Sequence, residues 1–355
     1  MPIFDILNNG VVRVVLLGTL FLGIVSGILG VFTLLKKQAL IGDTLSHATL
    51  PGVVLMFIFT TSKNISVLLI GAAISAALAM GIMMLIKKYS KINNDAILAL
   101  ILSSFFGLGR FLISLISRNP KYSGARLDDF IFGSAATIIE SDVITLMVVL
   151  LVVLVIIIFT WRNLKLQTFD KDFYQSVGYS NLLIDFIMSF MTILVIVVGI
   201  RTVGVILMSA LLIVPGLAAR QWSDKLLINV ILAGVFGALA SVFGTLYSVS
   251  YEGGIPTGPV IVIIGTAIAI ISLLFAPRKG IISKEIARIN HRNDLKRYQI
   301  LIHLYEVKEE RDDYYLQSNL KEHINNNLIE VNNGLITLTN QGHNKVVRIL
   351  RGDRK

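Results

Sequence analysis

Long apolar runs limit the folds open to this chain more than any other feature of its sequence. A helix needs about 20 apolar residues to cross the hydrocarbon core of a bilayer. Within lipid every backbone polar group must be paired internally, which favours helices. The sequence therefore predicts an all-α polytopic membrane protein with about nine transmembrane helices, and counts of eight or ten stay open. The runs cover residues 11–35, 39–60, 65–86, 95–117, 142–160, 182–199, 203–219, 226–249 and 257–276.

The segment 129–140 is apolar but too short to cross, so we expect a half-helix or a re-entrant piece there. The first run has no small-residue cleavage site and is too long for a signal peptide. Within it, Gly23 and Gly27 are spaced to let another helix approach closely. The alternative is that these glycines are simply common in membrane helices.

Charged residues are concentrated at the end of the chain. Only 15% of all residues are charged, yet the last 78 residues hold 15 of the 32 Lys and Arg and contain no long apolar run. The pattern predicts a transmembrane domain at 1–277 and a small, mainly helical domain at 278–355. The excess of Lys and Arg in alternate loops predicts that the protein lies in a bacterial inner or plasma membrane with its C-terminal domain in the cytoplasm.

An aspartate and a histidine lie inside the second apolar run. Asp43 and His47 are four residues apart, and His47 is the only histidine before position 291. At this spacing the two side chains share one face of a helix. Ionisable groups at membrane depth usually mark a substrate or ion path. Carboxylate and imidazole ligands suit Mn, Fe and Zn, and the absence of cysteine argues against Cu(I). The pair therefore predicts a metal path, whereas the alternative is a polar pair that only joins helices.

Two residues near this pair have expected structural roles. Pro51, followed by Gly52, ends or kinks the helix and can free backbone carbonyls near the site. Ser46 is expected to bond a backbone carbonyl rather than a metal.

Asp185, near the start of the run 182–199, is explained by stabilisation of a helix N-terminus.

The loop 161–180 predicts a short helix with an apolar face. Thr168 is a candidate N-cap, and Gly178 is a candidate stop. A transporter would press such a face into a partner, and the alternative is a helix that lies on the membrane surface. The chain itself has no G-x-x-x-x-G-K-[ST] loop, so if ATP drives the protein, a separate subunit supplies the hydrolysis. The residues that would couple this loop to such an ATPase are Phe169, Asp170, Phe173, Val177 and Gly178.

Residues 42–52, with the sequence GDTLSHATLPG, resemble the second-span motif of the ABC-3 family of manganese, zinc and iron(II) permeases. Further stretches agree in order and spacing, and the resemblance covers residues 1–277. These stretches are DAI at 95–97, FGLG at 106–109, the loop 169–178, GVILMSALLIVP at 204–215, AAR at 218–220 and IPTGP at 255–259.

The resemblance implies a homodimeric permease that works with a cytoplasmic ABC ATPase and an extracytoplasmic metal-binding protein. It also implies that Asp43 and His47 line the ion path. Tyr174 is a departure, because family members often have alanine there, and the larger ring is expected to alter the fit of the partner. The basic residues Arg118, Lys121 and Arg126 are an unusual lining for a cation path and are assigned instead to the binding protein.

The C-terminal domain resembles a winged helix of the diphtheria-toxin-repressor type. A helix from about residue 293, a second at 316–329, a strand at 334–339 and a final helix at 343–351 carry this resemblance. The candidate recognition stretch 320–327 has one basic residue, whereas DNA readers concentrate Lys and Arg. We therefore favour a regulatory or packing role over nucleic-acid binding.

The predicted function is the permease subunit of an ATP-driven importer of Mn, Zn or Fe(II), which is a transporter rather than an enzyme. The metal is the transported substrate, and no permanently bound cofactor is expected. One alternative is a permease for a metal chelate such as a siderophore or cobalamin. The other is a membrane-tethered, metal-responsive regulator. The ligand types accept all three metals, so the sequence does not rank them.

Overall fold

The computed structural model describes residues 9–61, 64–117, 138–251, 255–277, 279–307, 310–311, 319–332 and 335–351. The chain divides into two compact units, residues 1–276 and 277–355. This division lies one residue from the boundary that the charge distribution predicts. Residues 129–137 of the predicted half-helix, as well as Arg118, Lys121 and Arg126, lie outside the described residues.

The described residues of the membrane unit form ten helices. Eight of them are long and apolar enough to cross a membrane, and these are α1–α5, α7, α9 and α10. The helices are α1 (Gly10–Leu35), α2 (Ile41–Thr60), α3 (Ile65–Tyr89), α4 (Asn94–Ser117), α5 (Glu140–Phe169), α6 (Lys171–Ser176), α7 (Asn181–Val203), α8 (Val205–Trp222), α9 (Leu226–Ser250) and α10 (Thr257–Phe275).

The ninth predicted span, residues 203–219, corresponds to α8, which is apolar but short. Its 18 residues rise about 27 Å, slightly less than the hydrocarbon core of about 30 Å. A single residue, Gly204, separates it from α7 and has a positive φ of 84°. Glycine adopts this conformation without steric cost, so the chain can turn sharply between two helices here.

Close helix contacts depend on small residues. A Cβ atom added at Gly23 would lie 2.4 Å from the Gly237 carbonyl oxygen of α9, and one at Gly27 would lie 2.3 Å from that of Ala233. Both glycines of the predicted pair therefore meet a neighbouring helix at backbone contact distance. This arrangement packs α1 against α9 at the centre of the unit.

The C-terminal unit combines helices with a small antiparallel sheet in the order β1-β3-β2. Its core contains Leu301, Leu304, Ile329, Ile336 and Val346. The predicted helix over 316–329 is wrong at its end, because α13 stops at Asn325 and Ile329 begins a strand. The elements are α11 (Ile281–Arg297), α12 (Gln299–Val307), β1 (Glu310–Arg311), α13 (Asn319–Asn325), β2 (Ile329–Asn332), β3 (Leu335–Leu338) and α14 (Asn340–Arg351).

Candidate metal site and coupling loop

Asp43 and His47 lie one turn apart near the start of α2. The Nε2 atom of His47 is 3.3 Å from Oδ1 of Asp43. The Asp43 side chain is 34% exposed and that of His47 is 15% exposed, so the pair opens to the protein surface on the carboxylate side. An ion approaching that face meets the carboxylate first and the imidazole behind it.

The second ring nitrogen of His47 is unpaired in the part of the chain that the structure describes. Nδ1 is buried and makes no hydrogen bond within the described part of the chain. The ring meets the Phe106 ring of α4 edge-on, with the ring centroids 4.8 Å apart. A buried polar atom without a partner costs free energy, and such atoms in native proteins often have a functional explanation. The ring is therefore held by packing on one side and by Asp43 on the other.

The backbone of α2 is altered next to the pair. Pro51 lies inside the helix and has no N–H to donate to the carbonyl of His47, four residues earlier. The expected Ser46 bond to a backbone carbonyl is wrong, because the Ser46 Oγ atom is buried and has no partner among the described residues. It is the Ser46 carbonyl that is used, since it accepts a hydrogen bond of 2.6 Å from Thr49 Oγ1.

Neighbouring helices fix α2 through hydroxyl groups and glycine. Ser75 Oγ of α3 donates to the Ala48 carbonyl at 2.6 Å, and Thr44 Oγ1 donates to the Leu98 carbonyl of α4 at 3.3 Å. Gly52 and Gly71 bring α2 and α3 into backbone contact, because a Cβ at Gly52 would lie 2.1 Å from the Gly71 carbonyl oxygen. The pair thus projects from a helix that is held rigidly on two sides.

Asp43 and His47 bring two potential metal ligands together on α2. These residues contain no group of three or more His, Cys, Asp or Glu side chains that could hold a metal ion. Two protein ligands can bind a divalent ion only loosely, so waters, backbone carbonyls or another protein chain must complete its coordination shell. This arrangement suits a transported ion better than a permanently bound one.

The predicted short helix of the coupling loop is α6. Asp170 caps it, because the Phe173 N–H donates to Asp170 Oδ1 at 2.8 Å. The prediction that Thr168 is the cap is wrong, because α5 continues to Phe169 and includes Thr168 in its last turn. After α6, Gly178 has a positive φ of 90°. Phe169, Phe173 and Val177 are all more than half exposed and form the predicted apolar face.

Tyr174 lies on the opposite side of α6 and faces the protein interior. Its side chain is 2% exposed, and its ring stacks on the Tyr179 ring at 5.0 Å. The expectation that the Tyr174 ring alters the fit of a partner is therefore wrong, since the ring anchors α6 to the membrane unit. Helical spacing identified the exposed face but did not show that the intervening tyrosine would be buried.

Asp185 is the functional candidate that the sequence analysis missed. It accepts hydrogen bonds from Lys36 Nζ and Gln167 Nε2, both at 3.1 Å, and its other oxygen is 3.8 Å from Lys171 Nζ. Burial lowers the pKa of Lys36, and the nearby Asp185 carboxylate opposes that shift. Stabilisation of a helix N-terminus does not account for these contacts, because Asp185 lies beyond the first turn of α7.

Comparisons with known proteins agree with the helical membrane unit. The model of the ABC 3 transport family matches residues 8–276. The zinc transport system membrane protein TroC of Treponema pallidum is 40% identical over 268 residues, which are 76% of this chain and 90% of TroC. The manganese transport system membrane protein MntC of Bacillus subtilis is 37% identical over 298 residues, which are 84% of this chain and 68% of MntC.

A solved structure agrees with this assignment of the fold. The structure of PsaBC from Streptococcus pneumoniae in complex with Fab superposes with a TM-score of 0.67 at 30% identity, covering 78% of this chain and 96% of that chain. The uncovered fifth of this chain corresponds in size to the C-terminal unit, residues 277–355.

Proposed function

Because the chain belongs to the ABC 3 transport family, we propose that it is the membrane permease through which an ATP-driven importer moves a divalent metal ion. It is a multi-pass membrane protein with eight helices of spanning length among its described residues. Relatives named for zinc and manganese transport, at 40% and 37% identity, support a metal substrate. The single observation that carries the proposal is the Asp43–His47 pair in α2, in which one imidazole nitrogen has no hydrogen-bond partner among the described residues.

Asp43 and His47 bind the ion during its passage. A carboxylate and a neutral imidazole accept Mn(II), Zn(II) and Fe(II), and two ligands hold such an ion weakly enough to release it. The exposed side of Asp43 leaves room for further ligands. A second copy of the chain, related by a twofold axis, would supply an equivalent pair and complete the coordination shell.

The remaining partners bind at the two ends of the membrane unit. The exposed face formed by Phe169, Phe173 and Val177 receives the ABC ATPase, because more than half of each apolar side chain is accessible. In this proposal α6 and the C-terminal unit lie in the cytoplasm, and the excess of Lys and Arg in the loops on that side supports it. An extracytoplasmic protein delivers the metal at the opposite end.

The C-terminal unit has a winged-helix topology in this proposal. Two helices, a strand, a helix, two strands and a final helix follow one another among its described residues, and the sheet in which β3 lies between β1 and β2 supports this topology. We assign the unit to regulation rather than DNA binding, because Glu322 of α13 is paired with Arg297 and would face phosphates with a negative charge.

The alternatives are less favoured. A siderophore or cobalamin permease needs a wide channel and has no use for an intramembrane Asp–His pair, while the similar proteins are named for zinc and manganese. A metal-responsive regulator would not need eight helices of spanning length.

The test compares metal uptake in cells that lack this permease and express one of four variants. Wild type, His47→Ala, Asp43→Asn and the control His291→Ala, which changes a histidine outside the membrane unit, are matched for membrane abundance. Cellular Mn, Zn and Fe and the uptake of radiolabelled Mn(II) and Zn(II) are measured. We expect the uptake of one metal to fall by about 10- to 100-fold in both α2 variants, which is the usual loss when a metal site is mutated around its ligands. Full uptake by His47→Ala would make the pair structural, and unchanged metal content without the permease would refute the importer.

A further inference from the structure

The carboxylate of Asp185 in α7 contacts residues at the end of α5, the start of α6 and the α1–α2 turn, on the side of the membrane unit that carries the coupling loop. Asp185 belongs to α7, Gln167 to the last turn of α5, and Lys171 is the first residue of α6. Lys36 lies in the turn between α1 and α2. The α6 helix is tied to the same region a second time, because Asn181 Nδ2 donates to Gln175 Oε1 at 3.2 Å.

The two hydrogen-bond donors to Asp185 are buried, while the carboxylate itself is partly exposed. The Lys36 side chain is 9% exposed and Gln167 is 4% exposed, against 27% for the Asp185 side chain. Ionic contacts in such surroundings are screened little by salt, and the loss of one partner leaves a buried charge. Lys171 is 48% exposed, so the outer end of the network faces solvent.

The turn that contains Lys36 leads directly into α2. Backbone hydrogen bonds close it, with N–H groups of Lys36, Gln38 and Ile41 donating to the carbonyls of Phe32, Thr33 and Gln38 at 2.9–3.0 Å. Asp43 lies in the first turn of α2, directly after this turn. A shift of Lys36 therefore moves the segment that carries one of the two metal ligands.

We propose that Asp185 is a positioning residue for transport, which couples movement of α6 to the first turn of α2 through its contacts with Lys171 and Lys36. This inference rests on the proposed function, because it assumes that the ATPase moves α6 and that Asp43 binds the ion. When α6 shifts, α7 and the α1–α2 turn shift with it, and the geometry of the Asp43–His47 pair changes. The network thereby links nucleotide hydrolysis to release of the ion.

A simpler explanation is that Asp185 only neutralises the buried Lys36. The two explanations differ for the variant Lys36→Met/Asp185→Leu. Replacing a buried ion pair by apolar side chains of similar size usually leaves stability unchanged or raises it. In this variant residue 36 carries no charge that Asp185 would have to neutralise, so the fold persists. The polar link between α6 and α2 is nevertheless absent.

The experiment uses the full chain with its ATPase and its metal-binding protein in proteoliposomes, and it measures metal ions transported per ATP hydrolysed. Arg201→Met/Asp142→Asn is the matched control, because this pair joins the opposite ends of α5 and α7. We expect the Lys36→Met/Asp185→Leu variant to assemble with its partners and to hydrolyse ATP. The number of metal ions transported per ATP should fall by about fivefold or more, since fivefold is the smallest typical effect of one site on another that is coupled to it. The control is expected to keep its transport per ATP.

A second variant covers the case in which the apolar pair does not fold. The chain contains no cysteine, so Lys36→Cys/Asp185→Cys can be joined by a short bifunctional thiol reagent. Transport per ATP should be low before cross-linking and should rise only in part afterwards, because the reagent rejoins α7 to the α1–α2 turn but leaves Lys171 of α6 without its carboxylate. Wild-type transport per ATP in either uncross-linked variant, or an equal loss in the control, would overturn the inference. Absence of transport by wild type would instead count against the proposed function.

Discussion

At the scale of single residues, His47 has two groups that an ion could contact, its imidazole ring and its backbone carbonyl. Nε2 faces Asp43, Nδ1 is buried without a partner among the described residues, and Pro51 removes the helical donor for the His47 carbonyl. The spacing of Asp43 and His47 made the pair visible in the sequence, because i, i+4 positions share a helix face. The free Ser46 hydroxyl was not foreseen, since local sequence does not show whether a carbonyl or a neighbour lies within reach.

Replacing Pro51 by alanine tests the role of the freed carbonyl. Alanine supplies an N–H for the His47 carbonyl, and a helix-interior proline costs about 3 kcal/mol, so Pro51→Ala should stabilise α2. If the carbonyl helps to bind the ion, uptake should fall severalfold even though thermal stability in detergent rises. Pro215→Ala in α8 is the control, because it changes a proline inside another helix of the membrane unit. Equal uptake by Pro51→Ala and wild type would exclude a role for the carbonyl.

At the scale of elements, glycine contacts set the distance between α2 and α3. A Cβ at Gly71 would lie 2.4 Å from the Gly52 carbonyl oxygen, whereas one at Gly81 on the same helix meets nothing within 4 Å. Gly71→Ala must push the helices apart and should destabilise the unit by about 1–3 kcal/mol, the usual cost of overpacking. Gly81→Ala should be neutral or slightly stabilising, because alanine favours helix more than glycine. Unfolding in detergent measures both, and similar values would contradict the close approach.

The apolar face of α6 makes a separate prediction about the ATPase. Phe173 is 52% exposed and Tyr174, its neighbour, is 2% exposed. Phe173→Ser should weaken ATPase binding by about 2 kcal/mol, or about 30-fold, as for an aromatic anchor at an interface. Tyr174→Phe keeps the buried ring and should leave binding unchanged. Co-purification and titration of the ATPase onto the detergent-solubilised permease give both values, and unaltered binding by Phe173→Ser would argue for a membrane-surface role of α6.

The whole molecule shows which parts of the structure local sequence can predict. Apolar runs located the helices of spanning length and the shorter α8, because burial in lipid dictates composition over about 20 consecutive residues. The Asp185–Lys36 contact was not predictable in this way, since it joins residues 149 positions apart. The burial of Tyr174 was missed because it depends on how α6 packs into the main hydrophobic cluster of the unit, which helical spacing alone does not show.

The independence of the two units gives the last prediction. TroC matches this chain over 268 residues that make up 90% of its own length, so little of that relative lies outside the membrane unit. The core of residues 277–355 is formed by its own side chains, including Leu301, Ile336 and Val346. A chain that ends after residue 280 should therefore insert, assemble and import metal at nearly the wild-type rate in metal-starved cells. If the C-terminal unit regulates transport, the truncated chain should keep importing after metal is restored, whereas wild type should slow. Radiolabelled uptake before and after metal addition separates these results, and loss of uptake by a stably inserted truncated chain would show that the unit is part of the transport machinery.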